Sequence, residues 1–252
     1  MNDVPRMRIA ALYDIHGNLP ALEAVLEEIR RHRVNQILPG GDVLPGPMPR
    51  ECLELLQSLD LPVQYIMGNG DREVLARMRG VETGWYKNAR EEWRAPIDWT
   101  AQQLSSEHAS LIAGWPATLT INIESLDDVL FCHATPRNDT DIFTRLTPEE
   151  RLAPMFSGVG QSTVVCGHTH MQFDRMIGKV RVVNAGSVGM PFGRTGADWL
   201  LLGTDVQLRH TDYDLAGAAE RIRGTAYPGA AEFVERYLLN TPSEEQMLKA
   251  YS

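Results

Sequence analysis

Two histidines separated by one residue, His168 and His170, follow the run Val164–Val165–Cys166 and Gly167. Imidazole is the commonest protein metal ligand, so the pair proposes a metal site. In an extended backbone, side chains two apart share a face, which predicts that both rings leave the end of a buried strand together. Gly167 permits a sharp exit from that strand. An isolated His-x-His fits two solvent-facing loop residues equally well, so the reading turns on what other segments supply. Asp14 and His16 end the apolar run 8–13, Asp42 follows 34–38, Asn69 follows 63–67 and His133 follows 129–132. Singly, Asp42 or Asn69 could be a turn former and His133 a satisfied core histidine. Jointly they are harder to dismiss, because four of the seven histidines sit at these strand ends, leaving His32, His108 and His210 outside. Asp14, His16, Asp42, Asn69, His133, His168 and His170 are too many ligands for one ion, whereas two ions sharing a bridging carboxylate fit. Such pairs, roughly 3.5–4 Å apart, are a recurrent device for displacement at phosphorus. Mixed nitrogen and oxygen ligation without thiolate points to two divalent transition-metal ions, manganese first, with iron, nickel, cobalt or zinc as alternatives.

The elements that must position these ligands read as strand and helix in alternation. Residues 8–13, 34–38 and 63–67 read as strands. Between them, Leu22, Val25, Leu26 and Ile29, then Cys52, Leu55, Leu56 and Leu59, recur at helical spacing, with Pro20 opening the first helix. Strand–helix–strand repetition implies parallel crossovers, and open sheets of this kind bind ligands outside the carboxyl ends of their strands. Residues 72–116 lack alternation, are helical in tone and carry Trp85, Trp93, Trp99 and Trp115. They form a helical insertion or cap beside the site, or helices whose tryptophans pack on the sheet. Alternation returns at 119–123 and 129–132, a short helix covers 148–156, and 164–166 is again a strand. The later runs 173–177, 180–183, 199–202 and 206–210 look antiparallel, and 214–251 is helical. Parallel units early and antiparallel units late predict two sheets flanked by helices. No repeat or linker divides residues 1–252, so a single domain is expected.

The chain has 252 residues, 43% hydrophobic and 23% charged, enough to bury a full core. No apolar run is long enough for a membrane span, and Met1 to Arg8 lacks a signal peptide's apolar stretch. The net charge of −9 gives no global basic surface for duplex nucleic acid. Three cysteines without C-x-x-C spacing suit buried thiols in a reducing cytoplasm. Tyr227, Phe233 and Tyr237 on the late helices would either contact a second copy or cover the second sheet.

In order and spelling, Asp14-x-His16, Gly41-Asp42, Gly68-Asn69-x-Asp71, His133 and Gly167-His168-x-His170 resemble the calcineurin-like metallophosphoesterase superfamily. The stretch Asn184 to Gly189 is similar to that of its small prokaryotic phosphodiesterase branch. The resemblance implies an α/β fold, a four-layer α-β-β-α sandwich of two mixed sheets with C-terminal helices. It also implies a dinuclear site with Asp14, His16, Asp42 and His170 at one ion, and Asp42, Asn69, His133 and His168 at the other. Its expected chemistry is phosphoester hydrolysis, most readily of diesters, by in-line attack of a metal-bridging hydroxide, with Asp42 and Asn69 central to catalysis. A phosphomonoesterase, a nucleotide pyrophosphatase or a non-catalytic protein-binding scaffold are the alternatives. Gly70 departs from the pattern, since many members carry a histidine there that aids the leaving group. A general acid contributes about 10²–10⁴-fold, so Gly70→His is expected to help poor leaving groups. Gly70 is expected to leave room for a diester substituent or a water, and Asp71 to orient Asn69 or pair with Arg72. Asn18, Arg72 and Arg194 are candidate contacts for the phosphate-ester substrate, against the plainer roles of helix cap for Asn18 and surface charge for the arginines.

Overall fold

The structure is a computed structural model describing residues 7–251; the N-terminal stretch read for signal-peptide character lies, apart from Met7 and Arg8, outside them. The fold is built around β1 (Ile9–Leu12), whose residues alternate between two cores. Ile9, Ala11 and the following Tyr13 enter the layer between two sheets, while Ala10 and Leu12 face helices. Neighbouring positions can be apolar on both faces only if both faces are covered. α1 (Leu19–Arg30) supplies part of that cover, with Leu22, Val25, Leu26 and Ile29 buried, and Asn18 caps it by accepting from Ala21 N–H at 3.2 Å.

β2 (Gln36–Pro39) and α2 (Pro49–Gln57) follow, then four helices: α3 (Asn69–Met78), α4 (Gly84–Asn88), α5 (Glu91–Gln103) and α6 (Ser106–Ala113). β3 (Thr118–Ile123), β4 (Asp127–Cys132), α7 (Glu149–Leu152), β5 (Thr163–Cys166), β6 (Gln172–Ile177) and β7 (Val180–Ala185) form the middle of the chain. β8 (Ala197–Leu202), β9 (Val206–Thr211), α8 (Leu215–Arg223), α9 (Ala230–Phe233), a π-helical turn (Val234–Leu239) and α10 (Glu244–Ala250) close it. One sheet has the order β2-β1-β8-β9 and the other β3-β4-β5-β7-β6, and both mix parallel with antiparallel pairs. Early and late strands are therefore not segregated: β8 pairs antiparallel with β1, Ala10 opposite Leu201, and extends the first sheet. The inner faces meet through residues such as Phe131, Val165 and Leu200. On the outer face of the second sheet, Phe143, Leu152 and Phe156 pack over Val164 and Val182. The architecture is the expected four-layer α-β-β-α sandwich, its fourth layer thin because only Glu149–Leu152 of the expected 148–156 is helical. Among the described residues no helix is long and apolar enough to cross a membrane.

The expected third strand, 63–67, is reduced to a single parallel bridge, Val63 to Ile37. The chain still runs beside β2: Ile37 N–H donates to Pro62 O, Gln64 N–H to Ile37 O and Ile66 N–H to Pro39 O. Residue 39 is a proline without an N–H, so the rung it would donate is missing and the ladder does not continue. The late aromatics also differ from expectation. Phe233 is buried, and Tyr227 and Tyr237 pack, against the helical layer of the first sheet, not the second.

Tyr13 ties the two sheets beneath the strand ends, its hydroxyl donating to Val165 O at 3.2 Å. Its ring occupies the space that a Cβ on Gly40 would take. Gly40→Ala is therefore expected to lower stability by about 1–3 kcal/mol, measured by urea unfolding, although the position is small and lies in a loop. An unchanged midpoint would show that the ring has room to move.

Candidate metal centre

Beyond β1, β2 and β5 the chain enters the site through residues with left-handed backbone, whereas His133 after β4 does not take that conformation. φ is 53° at Asp14, 47° at His16, 52° at Asp42, 68° at His168 and 57° at His170. The extended backbone expected across His168 and His170 is thus not what the chain adopts. The two rings diverge because both residues turn, and each joins a different group. Asp14, His16 and His170 form one cluster and Asp42, His133 and His168 a second, the candidate ligand atoms of each lying within 4.8 Å of one another.

Backbone hydrogen bonds hold these turns. Asp14 N–H donates to Gly41 O at 3.0 Å and His16 N–H to Asp42 O at 2.9 Å, locking the ends of β1 and β2 together. His168 N–H donates to Asp14 Oδ2 at 2.8 Å. The stretch after β7 braces the same place: Ser187 Oγ donates to Asp14 O, and Asn184 Nδ2 to Gly167 O at 2.6 Å. Asp71 does not orient Asn69 or pair with Arg72, as expected from sequence. It is fully buried and accepts from Asp42, Leu44 and Gly68 N–H groups at 2.7, 2.9 and 3.0 Å. Its carboxyl, pushed up to about 8 by burial and then by the Asp42 carboxylate, is a structural pin for the Asp42 turn.

The side chains are arranged as a cation site requires. His133 Nδ1 lies 3.0 Å from Gly40 O and His170 Nδ1 2.9 Å from Met190 O, so each donates there and turns its Nε2 inward. Burial, then the facing His170, pushes His16 down to about 3, and burial, then His133, pushes His168 down to about 4. Their imidazoles are neutral at pH 7, as ligation demands. Burial alone would raise the Asp14 carboxyl, but the facing His170, followed by His133 and His16, holds it well below the usual range. Burial and the Asp14 charge push Asp42 up.

Two observations test whether these residues fit metal ions. Among the described residues Asp14 Oδ1 is buried without a hydrogen-bond partner, 3.3 Å from His170 Nε2 and 3.8 Å from His16 Nε2. The nitrogens of His16 and His170 themselves face each other at 3.2 Å. Acceptors converging this way, around an orphaned carboxylate oxygen, suit a shared cation. The Asn69 amide completes the second group: one terminus lies 3.2 Å from His133 Nε2 and 3.0 Å from His168 Nδ1. It donates to both as nitrogen, and a half-turn of the amide offers a cation its oxygen.

His16, Asp42, Asn69, Gly70, Arg72 and His168 line a cavity of about 540 Å³. Arg72 is held in it by Asp139 at 2.7 Å and Glu73 at 2.6 Å. Asn18 and Arg194 are not part of that lining. Asn18 is buried and donates to Gly189 O at 2.8 Å while capping α1, and Arg194 is bound by Asp198 at 2.6 Å. Sequence reasoning missed Asp139, the Asp71 pin and Phe192, whose ring stacks on His170 with centroids 5.1 Å apart. None of these lies at a strand end, the signal that located the ligands.

A two-sheet sandwich with histidines and carboxylates gathered at its strand ends is the scaffold of a metallophosphoesterase. The family model for the calcineurin-like phosphoesterase superfamily domain matches residues 7–206, and the chain belongs to that superfamily of phosphoester hydrolases. It is 29% identical over 234 residues to the uncharacterized protein MJ0912 of Methanocaldococcus jannaschii, covering 85% of this chain and 91% of that one. Among solved structures it is similar to the hypothetical protein PH1004 from Pyrococcus horikoshii OT3, with TM-score 0.79 and 21% identity over 94% of this chain and 99% of that one. It is also similar to a metallophosphoesterase from Sphaerobacter thermophilus, with TM-score 0.70 and 25% identity over 92% and 98% of the two chains.

The two groups predict separable losses. His170→Ala is expected to remove the ion held with Asp14 and His16, and His168→Ala the one held with Asn69 and His133, each leaving about one equivalent of metal by mass spectrometry. Equal loss of both ions from either variant would contradict that division. The expected benefit of Gly70→His is corrected by the packing: a Cβ there would collide with Leu44 O and lie 2.9 Å from Pro45 Cδ and 3.1 Å from Asp42 Oδ1. Even Gly70→Ala should destabilise the protein by about 1–3 kcal/mol in thermal unfolding, and a neutral Gly70→His would show the 44–46 turn to be adaptable.

Proposed function

We propose that this protein is a dinuclear metal-dependent phosphodiesterase. The observation that carries the reading is the pair of ligand groups lying side by side at the cavity. Asp42 offers one oxygen to each: Oδ2 lies 3.8 Å from His16 Nε2 and Oδ1 3.6 Å from His133 Nε2, a disposition suited to bridging. Asp14, His16, Asp42 and His170 would hold one ion, and Asp42, Asn69, His133 and His168 the other. Divalent ions bound there supply Lewis acidity to phosphoryl oxygens and lower the pKa of water.

The chain's own residues do the rest. Burial keeps His16 and His168 neutral, and the Gly40 and Met190 carbonyls fix the tautomers of His133 and His170. Gly70 presents only backbone to the cavity, its N–H bound to Asp42 Oδ1 at 2.7 Å, so no side-chain acid stands at that position. Of the two arginines that line the cavity among the described residues, Arg72 is already engaged by two carboxylates and Arg236 lies 3.8 Å from Glu232. A monoester dianion asks for additional cations, whereas a diester carries one charge and a second substituent that needs the cavity. That difference supports diesters as substrates.

Hydrolysis of bis(p-nitrophenyl) phosphate with added Mn²⁺ tests the proposal. Turnover that is abolished by EDTA, restored by metal and higher in kcat/KM than that of p-nitrophenyl phosphate is expected. No turnover with Mn, Ni, Co or Zn in protein shown to bind metal would refute the enzyme, and a monoester preference would refute the diester.

A further inference from the structure

The four tryptophans of residues 72–116 divide into two kinds. Trp115 is buried and stacked on Tyr65 at 4.6 Å, and Trp99 meets the Tyr227 ring edge-on at 5.4 Å. Trp85 and Trp93 are 47% and 48% exposed, and both line the cavity beside the ligands. Among the described residues neither makes a contact with another ring. A half-exposed tryptophan leaves much of its apolar surface uncommitted to folding, and two lining one cavity offer that surface to a planar group. The C-terminal segment adds Tyr227, Phe233 and Tyr237 to the lining.

The charges of the cavity narrow the occupant. Arg72 is neutralised by Asp139 and Glu73, while Arg236 lies 5.3 Å above the Tyr237 ring and 3.8 Å from Glu232. Among the described residues no other Lys or Arg lines the cavity, and Glu92 adds a further carboxylate. A chain of additional phosphates would meet no unpaired cation here. An uncharged planar ring would meet two half-exposed indoles in a space within the roughly 300–1,000 Å³ typical of small-molecule pockets.

From these walls we infer that the diester's retained substituent is a nucleoside, its base stacking on Trp85 and Trp93, and that polyphosphate-linked substrates are disfavoured. The inference rests on the phosphodiesterase reading above and adds a specificity determinant to it.

The test holds the leaving group constant. Thymidine 5′-(p-nitrophenyl phosphate) and methyl p-nitrophenyl phosphate are compared as Mn²⁺-dependent substrates of the full chain, and the ratio of their kcat/KM values is read. Each ratio comes from one preparation, so partial misfolding of a variant cancels. The wild-type ratio is expected to exceed about tenfold, the scale of base–aromatic stacking, and to fall toward unity in Trp85→Ala/Trp93→Ala. Quenching of tryptophan emission by thymidine 5′-monophosphate, saturable in wild type and weakened in the double variant, gives a readout independent of turnover. A wild-type ratio near one, or a ratio unchanged in the double variant, would overturn this inference while leaving the diesterase standing. Preferential cleavage of diadenosine tetraphosphate would overturn it through the charge argument. Turnover of neither diester by metal-bound protein would remove the underlying reading and this one together.

Discussion

A left-handed backbone costs an L-residue roughly 1–2 kcal/mol, and this chain accepts that conformation at Asp14, His16, Asp42, His168 and His170. Strain of this kind persists only where the surroundings over-determine it. Here they do so with bonds that would otherwise be unmade: Asp14 N–H to Gly41 O, His16 N–H to Asp42 O, Asp42 N–H to Asp71 Oδ2 and Phe192 N–H to His170 O. The turns end the strands sharply and direct side chains from both sheets into one volume. The rest of the molecule serves to keep them. β1 is buried on both faces, Tyr13 fills the gap under Gly40 and Gly167, and the Asn184–Gly189 stretch closes over the end of β1.

The consequence is a site organised before any ion arrives. The carbonyls of Gly40 and Met190 set two histidine tautomers, and burial keeps His16 and His168 unprotonated. Asp14 Oδ1 lies buried among three Nε2 atoms, without a hydrogen-bond partner among the described residues. An unsatisfied buried carboxylate oxygen is costly, so binding of a cation there stabilises the fold as well as the site. In the proposed reading, chemistry and specificity come from different parts of the chain. The ligands lie within residues 7–206 that match the family, whereas the aromatic wall of Tyr227, Phe233 and Tyr237 lies beyond them.

The candidate ligands were legible in the sequence because strand ends carry a simple sign, an apolar run that stops at a polar residue, as near Asp14, Asp42, His133 and His168. The way they turn was not. Period-two reasoning put His168 and His170 on one face, and positive φ at histidine has no sequence signature of its own. The strand at 63–67 looked continuous because its own residues are good strand formers; the fault lies in its neighbour, at Pro39. Gly70 read as empty space, yet Leu44 and Pro45 pack against it, a contact between segments far apart in register that no local pattern records. The cavity is likewise long-range, joining helices near Trp85 and Trp93 to a C-terminal segment more than a hundred residues on.

Anomalous diffraction at the manganese edge, from crystals of the manganese-loaded protein, tests the centre most directly. Two peaks are expected, one among Asp14, His16 and His170 and one among Asn69, His133 and His168, with Asp42 touching both and φ still positive at all five turning residues. A single peak, or two peaks reached only after the 167–170 turn has become extended, would contradict a site built in advance by the backbone.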